Sequence, residues 1–180
     1  MGKYQNKTIG ILGGSFDPAH NGHLSISKIA IKKNNLKIVY WVVTKKNPFK
    51  KKTFFTLEQR LKQTRMITEK YKKIKILYLD EIVKSSRSID IIRYILKKEK
   101  PKTLYFIMGS DILIELHKWK SWKKIVKLTK LIVFSRKGYD KKSKESIVAK
   151  YLNKNNITFI RNKPIVISST DLRKRIRKII

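Results

Sequence analysis

An α/β fold built on a doubly wound parallel sheet, with one domain spanning residues 1–180, is the expectation for this chain. Three observations predict it. Short apolar runs alternate along the whole length with segments of helical period, the pattern of strands joined by crossover helices. One run, Lys37 to Val43, is almost continuously apolar, as strands covered on both faces are. The first run, Ile9 to Leu12, passes through glycines into a helix-forming stretch, which is how an open α/β sheet presents a phosphate site.

A length of 180 residues allows about two-thirds of the unfolded surface to be buried. The hydrophobic fraction of 41% supports a packed core rather than disorder. No apolar run is long enough for a membrane span, and Met1 to Thr8 is too polar for a secretory leader, so no membrane partner is expected. With no cysteine, disulfides, thiolate catalysis and thiolate metal sites are excluded, and the cytoplasm is the expected compartment. The net charge of +33 admits two readings. A basic RNA-binding module would gather its lysines in a stripe or tail, whereas here they are spread over every segment. That spread favours solvated faces whose summed field attracts anionic nucleotides, so no specific nucleic-acid partner is expected. Non-specific adhesion to RNA or a membrane surface stays open.

The first strand feeds Gly13-Gly14-Ser15-Phe16-Asp17-Pro18-Ala19-His20-Asn21-Gly22-His23. Gly13 and Gly14 let the main chain approach a polyanion where a Cβ would interfere. His20 and His23, three apart, share one face of the first helical turn. Asn21 is a suitable N-cap, which would set both imidazoles beside the positive helix end. Backbone amides from Gly13 to Phe16 with two imidazoles make a holder for a triphosphate. A glycine turn with two surface histidines is the plainer alternative, and the matched strand, turn and helix favour the holder. The helix runs from about Asn21 to Lys33, burying Leu24, Ile26, Ile29, Ala30 and Ile31. After the strand Lys37 to Val43, Pro48 fixes an extended basic loop at the strand end where ligands bind in such sheets.

Thr56 and Gln59 fit a capping box that opens a helix to about Tyr71. Ile74 to Leu79 is the third strand, and Ser88 can cap a helix through Glu99, which Pro101 ends. Thr103 to Met108 is the fourth strand and enters Gly109-Ser110-Asp111. There a glycine allows close ligand approach and a carboxylate is offered to ribose hydroxyls, although a simple helix cap explains the tripeptide equally well. Trp119 and Trp122 follow, a spacing more usual in cores than in ligand platforms. Lys130 to Phe134 is the fifth strand, ending at Ser135-Arg136-Lys137-Gly138-Tyr139. Asp140 to Asn156 reads as a lysine-rich helix and turn. Finally the β-branched strand Ile165-Val166-Ile167 meets Ser168-Ser169-Thr170-Asp171-Leu172-Arg173 and a basic helix. Hydroxyls and free N–H groups at a helix start, with the fork of Arg173, form an anion site. A well-capped terminal helix is the simpler alternative.

Gly-Gly-Ser-Phe-Asp-Pro-x-His-x-Gly-His, as it stands in residues 13–23, resembles the signature of bacterial nicotinate-nucleotide adenylyltransferases, among the nucleotidyltransferases that carry His-x-Gly-His. Residues 167–173 resemble the same family's Ile-Ser-Ser-Thr-x-Ile-Arg, with Leu172 for isoleucine. The resemblance spans the chain and implies a Rossmann-like sheet and adenylyl transfer from ATP to nicotinate mononucleotide, giving deamido-NAD and pyrophosphate. It implies catalytic roles for His20, His23 and Arg173, and ATP binding by Gly13, Gly14, Ser15, Phe16, Gly109, Asp111, Ser168, Ser169 and Thr170. The family's Asn-Pro-x-Lys loop makes Asn47 and Lys50 candidates for the mononucleotide, and its tryptophan near the pyridine makes Trp119 another, leaving Trp122 to the core. Arg136 stands where the family has Arg-Pro-Gly-Tyr, with Lys137 replacing the proline, and is expected on nucleotide phosphate or base. Arg87-Ser88 replaces the family's Tyr-Thr, and Arg87 is expected to pair with the nicotinate carboxylate. Magnesium is expected to arrive with ATP, without a dedicated protein site. A homo-oligomer is compatible with these residues. Nicotinamide mononucleotide is a rival acceptor; phosphopantetheine is disfavoured by Gly14-Ser15 and by histidine at position 20. A basic RNA-binding module is the rival of another class.

Overall fold

The computed structural model describes residues 5–45, 53–162, 169–170 and 172–173. Among the described residues six strands form one sheet in which every neighbouring pair runs parallel: β1 (Thr8–Gly14), β2 (Ile38–Val43), β3 (Ile74–Leu77), β4 (Thr103–Gly109), β5 (Lys130–Phe134) and β6 (Ile157–Ile160). The spatial order is β3-β2-β1-β4-β5-β6. The chain therefore winds outward from β1 to β3, returns, and winds the other way from β4. The strand order reverses between β1 and β4, and the crevice at their C-terminal ends is where a sheet of this kind takes a ligand. Gly13 and Gly14 end β1, and Gly109 ends β4.

The crossovers are α1 (Asn21–Lys33), α2 (Leu57–Thr68), α3 (Ser88–Glu99) and, between β4 and β5, α4 (Ser110–Glu115) and α5 (Trp122–Leu128). Two short helices, α6 (Asp140–Lys144) and α7 (Ile147–Tyr151), precede β6. Side-chain alternation divides the core between the sheet's two faces. Val39, Trp41 and Val43 of β2 pack with Leu24 and Ala30 of α1 and with Leu57 and Leu61 of α2. Ile38, Tyr40 and Val42 pack with Ile89, Ile92 and Ile95 of α3, Leu113 of α4, and Ile125 of α5. All six residues of β2 are buried, which accounts for its unbroken apolar run. Gly10 in the middle of β1 is needed for this packing, because a Cβ there would lie 2.9 Å from Leu36 Cδ1 and 3.0 Å from Ile107 Cδ1.

The doubly wound parallel sheet is as the sequence predicts, and so is the capping box of α2: Thr56 Oγ1 accepts from the Gln59 N–H and Gln59 Oε1 from the Thr56 N–H. Three details differ. β3 stops at Leu77, and α3 is preceded by Arg87 without a side-chain cap, Ser88 being already helical. The segment read as one lysine-rich helix is two single-turn helices, followed by a sixth strand that the sequence reading did not foresee. In β6 Thr158 and Phe159 are both exposed, so its apolar residues do not alternate as a half-buried strand's would. The expected strand at residues 165–167 lies outside the described residues. Among the described residues no helix is long and apolar enough to cross a membrane.

Candidate active site

The turn after β1 is held by its own buried side chains. Phe16 adopts a left-handed backbone, φ 47°, which costs a non-glycine residue about 1 kcal/mol or more. Its ring is 2% exposed and stacks on Trp41 with centroids 5.0 Å apart, and burial of such a ring offsets that cost. Among the described residues the packing does not require glycine at 13 or 14: both have ordinary negative φ, and a Cβ would meet Phe106 at 3.8 Å or Phe16 at 3.7 Å, which is normal contact.

The cap of α1 corrects the sequence expectation. His20, not Asn21, is the N-cap, with extended backbone at φ −151° and ψ 170°. Its Nδ1 accepts the Gly22 N–H at 3.0 Å, and Nδ1 of His23 accepts the His20 N–H at 3.3 Å. Two histidines thus form the reciprocal cap that Ser/Thr and Glu/Gln usually make. With Nδ1 accepting, the neutral ring of each carries its proton on Nε2. The two rings lie 4.0 Å apart, and His23 also packs against Phe16 and Trp41. Ser27 locks this group by donating to the His23 carbonyl at 2.8 Å and accepting from Trp41 Nε1 at 2.7 Å. Burial first, and then the charge of Arg136, pull the His20 pKa down to about 4. At neutral pH His20 is an uncharged donor, not a cation.

Across the switch point, Asp111 opens α4 with Gly109 tight against it. A Cβ on Gly109 would sit 2.5 Å from Asp111 Oδ1, so glycine is required for this carboxylate position. Asp111 Oδ2 pairs with Arg136, and its buried Oδ1 has no hydrogen-bond partner among the described residues. Arg136 is held through its backbone: its N–H donates to Ser110 Oγ and to Asp140 Oδ1, each at 3.0 Å. A hydrogen bond from Ser135, opposed by some burial, is the main reason the Asp140 carboxyl lies below the usual range. Arg136 therefore stands beside the residue expected to contact the ATP ribose, and its charge reaches His20.

The far end of the chain closes on the glycine loop. Ser169 Oγ donates to the Pro18 carbonyl at 2.9 Å. Arg173 donates to the Asp17 carbonyl and, through Nη2, to Thr170 Oγ1 at 3.0 Å, with the Asp17 carboxylate 3.6 Å from its Nη1. Asp17 is 2% exposed and accepts the N–H groups of Phe54 and Phe55 at 2.9–3.1 Å.

Among the acceptor-side candidates, Arg87 is exposed and its N–H donates to Ser85 Oγ at 3.1 Å. Trp119 is half-buried, edge-on to Phe106 at 6.2 Å. Trp122, expected in the core, is instead half-buried at its rim against Tyr151, 5.1 Å away. Asn47, Lys50 and Ser168 lie outside the described residues.

Sequence reading missed Arg60, Asp80 and the anchoring part played by Asp17. Asp80 Oδ2 accepts from the Lys45 N–H at 2.7 Å and from Ser86 Oγ at 2.5 Å, tying the exit of β2 to the Arg87 segment. The available signal for Arg60 was its register. It falls on the same stripe of α2 as Leu57, Leu61 and Thr64, where a charge is out of place unless it is partnered.

Residues 11–175 match the cytidylyltransferase-like family model. A Pelagibacter ubique protein named "probable nicotinate-nucleotide adenylyltransferase" is 49% identical over 171 residues, 94% of each chain. One of the same name from Aquifex aeolicus is 34% identical over 165 residues, 89% of this chain and 98% of its own. A Plasmodium falciparum nicotinic acid mononucleotide adenylyltransferase complexed with APC superposes with TM-score 0.74 at 22% identity, over 94% of this chain and 83% of that one. The same enzyme complexed with NaAD gives 0.71 at 25% identity over the same shares.

Proposed function

The chain belongs to the cytidylyltransferase-like family and, within it, to the nicotinate-nucleotide adenylyltransferases, and from that premise we propose how its residues carry out the family reaction. It transfers AMP from ATP to nicotinate mononucleotide in NAD biosynthesis. The 5′-phosphate oxygen of the mononucleotide attacks the α-phosphorus of ATP, the bond to the bridging β-oxygen breaks, and that oxygen leaves with pyrophosphate. No proton has to be taken from a phosphate already ionised, so alignment and charge stabilisation supply most of the acceleration. The observation that carries this reading is the junction of Ser169 and Arg173 with Asp17–Pro18, just before the capping histidine His20 in the chain.

In this reading the backbone of Gly13, Gly14, Ser15 and Phe16 holds the triphosphate, and Gly109 and Asp111 take the adenosine ribose, the orphan Oδ1 of Asp111 being the acceptor on offer. His20 and His23 donate from Nε2 to phosphate oxygens as charge develops. Ser168, Ser169, Thr170 and Arg173 hold the departing pyrophosphate. Asn47, Lys50, Arg87, Trp119 and Arg136 receive the mononucleotide, Arg136 being paired with Asp111. Magnesium would be carried by the triphosphate and would neutralise charge on the departing pyrophosphate. The expected compartment is the cytoplasm.

Isotope placement tests the reaction. With nicotinate mononucleotide, label at the α-phosphorus of ATP must appear in the dinucleotide and label at the γ-phosphorus in pyrophosphate. Label from the γ-position in the mononucleotide, or none in any product, contradicts the reading.

A further inference from the structure

Arg60 is 1% exposed on the sheet-facing side of α2. Its Nη1 donates to the Ser15 carbonyl at 2.6 Å and the Thr44 carbonyl at 2.8 Å, its Nη2 to the Lys45 carbonyl at 3.2 Å, and its Nε to the Phe55 carbonyl at 3.3 Å. These four acceptors belong to three separate stretches: the glycine turn after β1, the exit of β2, and the run that leads into α2. Asp17 grips the last of these from the other sign of charge, accepting the N–H groups of Phe54 and Phe55. A buried cation and a buried anion thus clasp residues 54–55 by carbonyl and by amide, and the same Asp17 also meets Arg173.

A guanidinium is costly to bury, and here burial pulls its pKa below the ordinary value, with Asp17 and Asp80 pushing back. Packing alone would be served by an apolar side chain such as its neighbours Leu57 and Leu61, which join the core on that face. What an arginine adds is a rigid fork that fixes carbonyl oxygens in place. In a planar trans peptide the C=O and the following N–H point opposite ways, so drawing the Ser15 oxygen toward α2 turns the Phe16 N–H away from it. That N–H is one of the amides the proposed function assigns to the triphosphate.

We propose that Arg60 is a positioning residue for adenylyl transfer: it sets the Ser15–Phe16 peptide plane and the Thr44–Lys45 exit of β2 at the geometry in which they meet the two substrates. This rests on the adenylyl-transfer reading. Lysine cannot span four carbonyls, and methionine fills the space without donating.

The test uses the full chain as wild type, R60K, R60M and R60A. In R60M, kcat per folded molecule is expected to fall roughly 10²-fold, with KM for ATP moving much less, and R60K is expected to fall between R60M and wild type. Guanidinium ion at millimolar concentration should partly restore kcat of R60A, where equal sodium chloride does not. Hydrogen exchange should quicken in residues 13–18 and 53–55 while β4 and β5 stay protected. A purely structural arginine would lower Tm and the folded fraction but leave kcat of the folded enzyme unchanged, and that result overturns the inference. If R60M and R60A do not fold, R60K is judged by the same kcat and exchange criteria. If wild type itself releases no pyrophosphate with a mononucleotide, the reaction reading fails. Unchanged exchange in residues 13–18 of R60K would then refute the positioning claim separately.

Discussion

At the scale of single residues, the proposed reading gives His20 a second duty beside its cap, and substitution can separate the two. Its Nδ1 caps α1, and Nε2–H is the group left for phosphate. Asparagine is a good N-cap but has no imidazole donor. His20→Asn should therefore keep Tm near wild type, while His20→Ala loses about 1 kcal/mol of stability. Both should lose turnover by roughly 10²-fold or more, with ATP affinity changed less. Near-normal turnover in either variant would remove His20 from the chemistry. The pH dependence follows from the same ring. Its folded pKa, about 4, lies below the ordinary 6.5, so the unfolded chain binds the extra proton first. Stability contributed by neutral His20 is complete above pH 6.5 and declines as pH falls from there toward 4. The Tm of wild type should drop more steeply across that window than the Tm of His20→Asn. The motif itself was plain in the sequence, but the use of His20 as its own cap was not. Cap statistics favour Asn21, and only the observed backbone at His20 decides between the two.

At the scale of elements, the strands and crossovers from β1 to β5 were legible because each lies in an apolar or periodic run bounded by turn signals, the run of β3 continuing past Leu77 to Leu79. β6 was not: Thr158 and Phe159 are both exposed, and Ile157 and Ile160, three apart, do not show the alternation of a strand. The buried stripe of α2 was also hidden. Arg60, Thr64 and Thr68 are polar residues buried on a helix, and their reason is tertiary: carbonyls from distant turns for Arg60, and local backbone oxygens for the threonines. Residues 168–173 read in the sequence as a candidate anion site, but only the fold brings Ser169 to Pro18, 151 positions away in sequence. That contact yields a prediction at this scale. Ser169→Ala deletes the hydroxyl bond to the Pro18 carbonyl, worth about 1 kcal/mol. Product inhibition by pyrophosphate should weaken several-fold while KM for the mononucleotide stays put, and a change confined to the mononucleotide would place this helix on the wrong substrate.

At the scale of the whole molecule, the reversal of strand order between β1 and β4 brings the glycine turn and Asp111 to neighbouring strand ends, with Arg136 paired to Asp111 and Arg173 reaching Asp17. The net charge of +33 suits this arrangement without defining it. A field of that sign draws in ATP and the mononucleotide alike and does not tell one acceptor from another. In the proposed reading the choice of acceptor depends on a few residues in the loops beyond the strands, and exposed Arg87 carries a charge suited to a carboxylate. The most direct measurement is pyrophosphate release from ATP by the full chain, with nicotinate mononucleotide, nicotinamide mononucleotide and no acceptor compared side by side. The account predicts rapid release with nicotinate mononucleotide, slower release with the amide, and none without an acceptor. Release that is equal with no acceptor, or faster with nicotinamide mononucleotide, would contradict it.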